Sequence, residues 1–325
     1  MDISSQPLLI FIFAIVVVFM LALDLGVFNR KSHAISNKEA LVWSIVWISL
    51  SMLFSLFLLS QTNMEKFAQF QSAYWIEKAL SIDNLFVFIL VFGFFEVPKE
   101  LHHKVLFWGI LGALVMRAIF IFSGVELINL TYLPEFNLLG KSLKVNLLLT
   151  IFGCFLVYAG FKSAFSKDDE EGEKDFGKSF GVRLVRKFFP VSDEFYQGKF
   201  IVKKMNIRFA TRLMLVLAVI ETTDLIFAID SIPAIFAIAP NDPFILYMSN
   251  IFAILGLRSL YFLLANFIHM FSKLKYGLAV ILSFIGIKMI FSPICHVDAL
   301  VSLFILGGVL FLSLIWSILS AKKSA

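Results

Sequence analysis

Cysteine is nearly missing from the chain: two in 325 residues, Cys154 inside an apolar run and Cys295 in a short connection. That excludes a disulfide framework and a thiolate metal site. Histidine is scarce as well, and His102, His103, His269 and His296 fall in connections or near the ends of apolar runs, where they read as interfacial residues rather than ligands. Charged residues make up only 16% of the chain, well below the roughly 25% of a soluble domain. No Gly-rich phosphate loop, zinc spacing or nucleophile motif occurs, so no enzyme chemistry is indicated. The opening MDISSQPLL holds no Lys or Arg. The apolar run behind it is too long for the core of a cleaved signal, so the first segment is expected to persist as a helix.

What is abundant settles the class. Hydrophobic residues form 60% of the sequence, Phe alone occurs 39 times, and the mean hydropathy is +0.90. A soluble core of this size cannot enclose that much apolar surface, so the chain is expected to be an all-α integral membrane protein, with the lipid bilayer as its first partner. Apolar runs of about 20 residues, enough to cross the hydrocarbon layer, can be drawn at 7–28, 40–59, 74–95, 105–125, 145–165, 213–239, 244–267, 276–291 and 299–319. They predict about nine transmembrane helices, with residues 1–165 carrying the first five, a hydrophilic 166–212 loop, and residues 213–325 carrying the rest.

Lys and Arg divide unevenly between alternate connections. Arg30, Lys31, Lys38, Lys99, Lys104, Lys273, Lys275, Lys322, Lys323 and the basic residues of the 162–212 region share one side, against Lys66, Lys141 and Lys144 on the other. Cytoplasmic loops hold the excess, which predicts an inner-membrane protein with an outside amino terminus and a cytoplasmic carboxyl terminus. The net charge of +5 is then a topology signal, with no nucleic acid partner implied. In the loop, Phe180, Leu184 and Phe188 recur every four residues with Arg183, Arg186 and Lys187 between them. This suits either a short helix on the anionic inner leaflet or a solvated linker.

Internal comparison finds a repeat. EKALSIDNLF is answered by DLIFAIDSIP, so that Glu77 and Asp83 align with Asp224 and Asp230, both 147 residues further on. One helix later each phrase is followed by an intramembrane arginine, Arg117 in GALVMRAIF and Arg258 in AILGLRSLYF. The two motif helices are third and sixth, an odd number of crossings apart, so they must run oppositely. Helices 3–5 and 6–8 are therefore expected to form an inverted three-helix repeat, a common transporter plan with its site at the midplane.

Charges at that depth cost roughly 2.5 kcal/mol or more each and are functional by default. A purely structural role would pair Asp83, Asp224 and Glu221 with Lys78, Arg117 and Arg258 to hold helices together. Yet Asp24, Glu77, Asp83, Glu221, Asp224 and Asp230 outnumber the buried cations Lys78, Arg117, Arg258 and Lys288 by two, a difference a divalent cation would neutralise. Glu221 and Asp224 share a face, because three residues advance a helix by about 300°, whereas residues six apart sit about 240° apart. A break is therefore expected at Pro233, which leaves the Ile229 carbonyl without a donor beside Asp230. Asn84 and Ser231 occupy equivalent places and supply side-chain oxygens, with Ser81, Thr222 and Thr223 as weaker candidates. Oxygen donors without Cys or His favour hard ions such as Mn²⁺, Mg²⁺ or Ca²⁺.

The phrases IETTDLIFAIDSIPAIFAI, SNIFAILGLRSLYFLLA, WGILGALVMRAIFI, EKALSIDNLFVF and ALDLGVF closely resemble the TerC family of bacterial membrane proteins, its Alx-like members in particular, over residues 18–290. The resemblance implies a manganese exporter, with links to tellurite resistance and alkaline response, on an inverted-repeat cation-exporter fold. It carries over Asp24, Glu77, Asp83, Asn84, Glu221, Asp224, Asp230 and Ser231 as ion-site residues. No tightly bound cofactor is expected, Mn²⁺ being the substrate, and a homo-oligomer or other membrane-protein partners stay open. An intramembrane aspartyl protease would show a Gly-x-Gly-Asp signature, which no aspartate here has. The rival is a non-transporting assembly or stress-response factor, and any tellurite resistance would be indirect, since tellurite is an anion.

Overall fold

The computed structural model describes residues 7–28, 36–134, 136–138, 141–165, 176–204, 207–267, 274–294 and 297–324. Within helices, the side chains of Asp24, Asp83 and Asp230 lie outside that description, as do Cys295, His269 and His296. Each apolar run is helical: α1 (Pro7–Phe28), α2 (Asn37–Gln61), α3 (Met64–Phe94), α4 (Lys99–Leu130), α5 (Leu147–Phe165), α7 (Arg212–Phe236), α8 (Pro243–Leu255) with α9 (Leu257–Phe267), α10 (Leu274–Phe291) and α11 (Ala299–Ser324). Among the described residues, α2, α4, α5, α10 and α11 are long and apolar enough to cross a membrane. The α8–α9 pair, bent by 41° at Gly256, makes a sixth if taken as one span. The motif helices differ from these in carrying Glu77, Lys78 and Asp83 on α3 and Glu221, Asp224 and Asp230 on α7.

Side-chain meetings give the helix directions. Glu77, 17 residues before the end of α3, meets Arg117, 18 residues after the start of α4, so these two form an antiparallel hairpin. Gly109 lies against Ile220, Gly112 against Glu221 and Gly124 against Phe236, so α4 and α7 run parallel. Lys66 pairs with Asp242 at 2.5 Å and Lys78 reaches Ala253, so α3 and α8 also run parallel. By contrast α5 and α10, which share the most extensive helix contact described, are antiparallel: Gly153 faces Gly286 while Gly160 faces Ala279 and Ser283. Small residues let backbones approach closely where lipid offers no hydrophobic drive between helices.

One expectation is corrected, and one of two alternatives is set aside. The break foreseen at Pro233 is absent, since α7 is unbroken from Arg212 to Phe236 and Pro233 falls in its last turn. There the ring forfeits one hydrogen bond of a helix that ends anyway, so no kink is needed. The interruption falls instead at Gly256, where the aligned residue of the first repeat is Val115 and α4 continues. Residues 176–211 are also more than a linker: α6 (Phe180–Phe188) packs on α7, and β3 (Val191–Ser192), β5 (Ile207–Thr211) and β4 (Ile201–Lys204) form a small sheet in the order β3-β5-β4. β5 leads straight into α7, and Thr211 Oγ1 ties that junction to the Lys199 carbonyl at 2.7 Å. A hairpin, β1 (Phe136–Leu138) with β2 (Lys141–Leu143), joins α4 to α5.

The α5–α10 contact generates a test. A Cβ at Gly286 would lie 2.6 Å from the Gly153 carbonyl oxygen and 2.9 Å from the Val157 nitrogen, whereas one at Gly307 on α11 would meet nothing within 4 Å. Gly286→Val should therefore lower thermal stability in detergent by about 1–3 kcal/mol, the usual cost of overpacking. Gly307→Val serves as the control and should melt as the parent does.

Candidate functional site

One arginine gathers the middle of the bundle. Arg117, fully buried on α4, donates from Nη1 to Glu77 Oε1 on α3 and to Asn250 Oδ1 on α8 at 3.3 Å, and from Nη2 to Asp224 Oδ1 on α7 at 3.3 Å. Four helices thus meet at one guanidinium, whose rigid fork suits two carboxylates better than an ammonium would. Asp224 is 12 residues from each end of α7, and Glu77 and Arg117 are similarly central in α3 and α4. Glu77 and Asp224 are the residues the internal repeat equates.

Around this node lie oxygen donors with capacity to spare. Glu77 Oε2, Ser81 Oγ and Ser231 Oγ are buried and have no hydrogen-bond partner among the described residues. Buried polar atoms of this kind cost free energy unless something occupies them. Glu77, Ser81 and Asn84 share one face of α3, as Glu221, Asp224 and Ser231 share one face of α7, by the helical spacing of three, four and seven residues. Asn84 is buried, and Glu221 is half-buried against the bare backbone of Gly112, where any side chain would collide with its carboxylate. Thr222 and Thr223 are spent on helix backbone, at 2.8 Å to Ala218 and 2.7 Å to Val219.

The cations are placed differently from one another. Lys78 Nζ donates to the Ala253 carbonyl at 3.1 Å, at the end of α8 where the last carbonyls lack intrahelical donors and the helix dipole favours positive charge. Trp47 buttresses the same break, its Nε1 donating to Ser259 Oγ at 3.2 Å. Arg258, buried just beyond Gly256, lines with Asp224 a void about the size of one water, walled otherwise by apolar residues such as Phe88, Ile220 and Ile254. Lys288 lies apart, bonded to Ser302 at 2.8 Å.

Counting the described side chains at the node, Glu77, Glu221 and Asp224 balance Lys78, Arg117 and Arg258. Any surplus of acid rests on Asp24, Asp83 and Asp230. Because α3 and α7 stay regular, Asp83 and Asp230 lie about 240° round from Glu77 and Asp224 and occupy other helix faces. Among the described residues no group of three His, Cys, Asp or Glu side chains is close enough to hold a metal ion. His102 is engaged structurally, bonding Val97 O and Tyr261 Oη at 3.0 Å each and stacking on Phe92. Asn250 is the node residue not singled out from the sequence; an amide inside an otherwise apolar helix was the available signal.

Some 12 residues beyond Asp224, about 18 Å along α7, a polar vestibule of about 410 Å³ opens, lined by Glu65, Lys66, Asn146, Asp242 and Lys288 and ending at Phe236. Phe236, part of its lining, sits on Gly124 and stacks on Phe152.

The sequence profile of the family described as "Integral membrane protein TerC family" matches residues 62–325. The chain belongs to the TerC family. Among curated relatives, the "Putative membrane-bound redox modulator Alx" of Escherichia coli (strain K12) is 44% identical over 324 residues, covering 97% of this chain and 95% of the relative. The Salmonella typhi protein of the same name is 43% identical, with the same coverage. The "Uncharacterized membrane protein STKORF319" of Myxococcus xanthus is 40% identical over 308 residues, 95% of this chain and 91% of that one. No solved structure matches.

The node predicts a graded stability series. Arg117→Ala strands two buried carboxylates and should cost about 3–5 kcal/mol, the range for removing one member of a buried ion pair. Arg117→Lys keeps the charge but not the fork and should melt in between. Thermal unfolding in detergent reads both, and an Arg117→Ala variant as stable as the parent would mean the bridge is idle.

Proposed function

We propose that this TerC-family protein is a membrane transporter that exports a divalent metal cation, Mn²⁺ in first place, through a midplane carboxylate site, with protons carried the other way. The observation that supports this most is the burial of Glu77 and Asp224, equivalent residues of two related phrases, against Arg117 at the centre of the bundle. Helix directions add to it: α4 is antiparallel to α3 and parallel to α7, so α3 and α7 oppose one another. The parallel pair α3–α8 then has its counterpart in α7–α4, and α5 meets α10 antiparallel, as a two-fold axis in the membrane plane requires of helices 3–5 and 6–8.

In this reading nine segments cross the inner membrane, α8–α9 counting as one, with the amino terminus outside and the carboxyl terminus in the cytoplasm. Asp83, Asp224 and Asp230 hold the ion, Glu77 and Glu221 assist, and Asn84, Ser231 and Asp24 supply further oxygens, in an arrangement of the repeats other than the one described, where Asp83 and Asp230 sit on other helix faces than Glu77 and Asp224. Arg117 and Arg258 brace the acids without touching the ion, since a permanent cation cannot be a cation ligand. Rocking of one repeat against the other exposes the site alternately, and the ion departs through the vestibule beyond Phe236. Protons from outside take its place on the carboxylates and reset a neutral site. The orphaned Glu77 Oε2, Ser81 Oγ and Ser231 Oγ favour an ion with hard, oxygen-rich coordination.

The printed name of the relatives suggests redox modulation, which would act through a thiol or a partner, and an assembly or stress-response role is the wider alternative. Purified protein in vesicles, scanned over Mn²⁺, Ca²⁺, Mg²⁺ and Zn²⁺, separates these. Mn²⁺ flux should be largest, should respond to an imposed pH gradient, and should fall by roughly 10-fold or more in Asp83→Asn or Asp230→Asn, the scale for losing a metal-supporting group. A Cys154→Ser/Cys295→Ser protein should still transport. Absence of flux for every ion, with cellular manganese unchanged on deleting the protein, would overturn transport in favour of the assembly role.

A further inference from the structure

The helix α6 divides its circumference into three sectors. At about 100° per residue, Gly181, Val182 and Val185 cover roughly 100–200° counted from Phe180, and these are the buried positions, with Gly181 lying flat on α7 at Ala218 and Thr222. Phe180, Leu184 and Phe188 cover roughly 0–80°, and they are 63%, 44% and 68% exposed. Arg183, Arg186 and Lys187, all exposed, fill the remaining arc of roughly 240–340°. A helix in solution needs only an inner and an outer face, whereas a helix that meets protein, hydrocarbon and headgroups at once needs three.

The face of α7 beneath α6 indicates which medium the apolar sector meets. Ala218, Thr222, Ile226 and Ile229 follow one another at spacings of four, four and three residues, a single stripe along α7. α6 covers the first two, while Ile226 and Ile229 remain 61% and 55% exposed, as lipid-facing side chains do. From Ala218 to the end of α7 at Phe236 is 18 residues, about 27 Å of helix against a hydrocarbon thickness of about 30 Å. With Phe236 taken as the opposite boundary, α6 crosses α7 near the point where the stripe would leave the hydrocarbon layer.

We infer that α6 is an interfacial anchor, seated in the cytoplasmic leaflet through Phe180, Leu184 and Phe188 and recognising anionic phospholipid headgroups through Arg183, Arg186 and Lys187. Apolar burial at the headgroup boundary combined with attraction of basic residues to anionic lipid is the established physics of such helices. The inference rests on the cytoplasmic placement of residues 166–212 and is independent of which ion is carried.

The experiment places an environment-sensitive NBD fluorophore at Leu184→Cys in the full chain, with Cys154→Ser and Cys295→Ser removing the native thiols and Lys203→Cys on β4 as the reference site. The protein is reconstituted in phosphatidylcholine vesicles with or without phosphatidylglycerol, and nitroxide-labelled lipid is the quencher. Fluorescence at position 184 should shift to the blue and be quenched by the lipid nitroxide, while position 203 stays in water. Quenching at 184 should be stronger with phosphatidylglycerol, and Arg183→Gln/Arg186→Gln/Lys187→Gln should lose that increment. Equal aqueous exposure of 184 and 203 overturns the anchor. So does shielding of 184 without lipid quenching, which would mean that protein, either residues 166–175 or a second copy, covers the stripe. An identical response in both lipid compositions overturns headgroup recognition. Mn²⁺ flux in the same vesicles keeps the two ideas apart: flux without quenching removes the anchor alone, and quenching without flux removes the transport assignment alone.

Discussion

A guanidinium far from water must be surrounded by acceptors, and the rest of this bundle is arranged to meet that demand. Arg117 draws oxygen from α3, α7 and α8 through its two terminal nitrogens while standing on α4, and its Nε has no partner among the described residues. Each of those helices is fixed in rotation by the need to aim one polar side chain at the same point. An apolar interface could satisfy itself at many rotations, so the ionic node specifies the packing even where it adds little net stability. The glycines at 109, 112 and 124, which bring α4 within reach of Ile220, Glu221 and Phe236, follow from the same demand.

A second constraint comes from the chain break at Gly256. Ending α8 inside the bundle exposes carbonyl oxygens that a continuous helix would have satisfied. Lys78 answers with its ammonium at Ala253, and Trp47 closes on the far side through Ser259. The cost of burying Lys78 is thereby met by a helix end rather than by a carboxylate, which leaves Glu77 and Asp224 to Arg117. The two halves of the repeat also come to differ in shape, bent after Leu255 but straight through Val115.

Most helices were legible in the sequence because hydropathy alone marks a segment that lipid must surround. The correspondence of Glu77 with Asp224 and of Arg117 with Arg258 was read from the sequence because charge within an apolar run is rare enough for its order to stand out. The break was not. Pro233 drew the expectation, yet a proline in a final turn has little helix left to disturb, while a glycine opposite Lys78 and Trp47 marks a bend only once its neighbours are known. Asn250 was hidden for the same reason, since its partner lies 133 residues away on another helix. The sheet at 191–211 is built from strands of two to five residues, too short to impose a pattern against so apolar a background.

The contact of α5 with α10 bears on how such a bundle can move. Gly153 and Gly286 bring main chain against main chain, with the side chains of Ile290 and Val157 packed beside the contact. Such a surface tolerates a slight turn or slide but offers nothing to hold on to once parted. In the transport cycle proposed above it would serve as an axle: the two helices would stay together while the repeats rock about them, with an amplitude limited by how far one arginine can stretch between two acids.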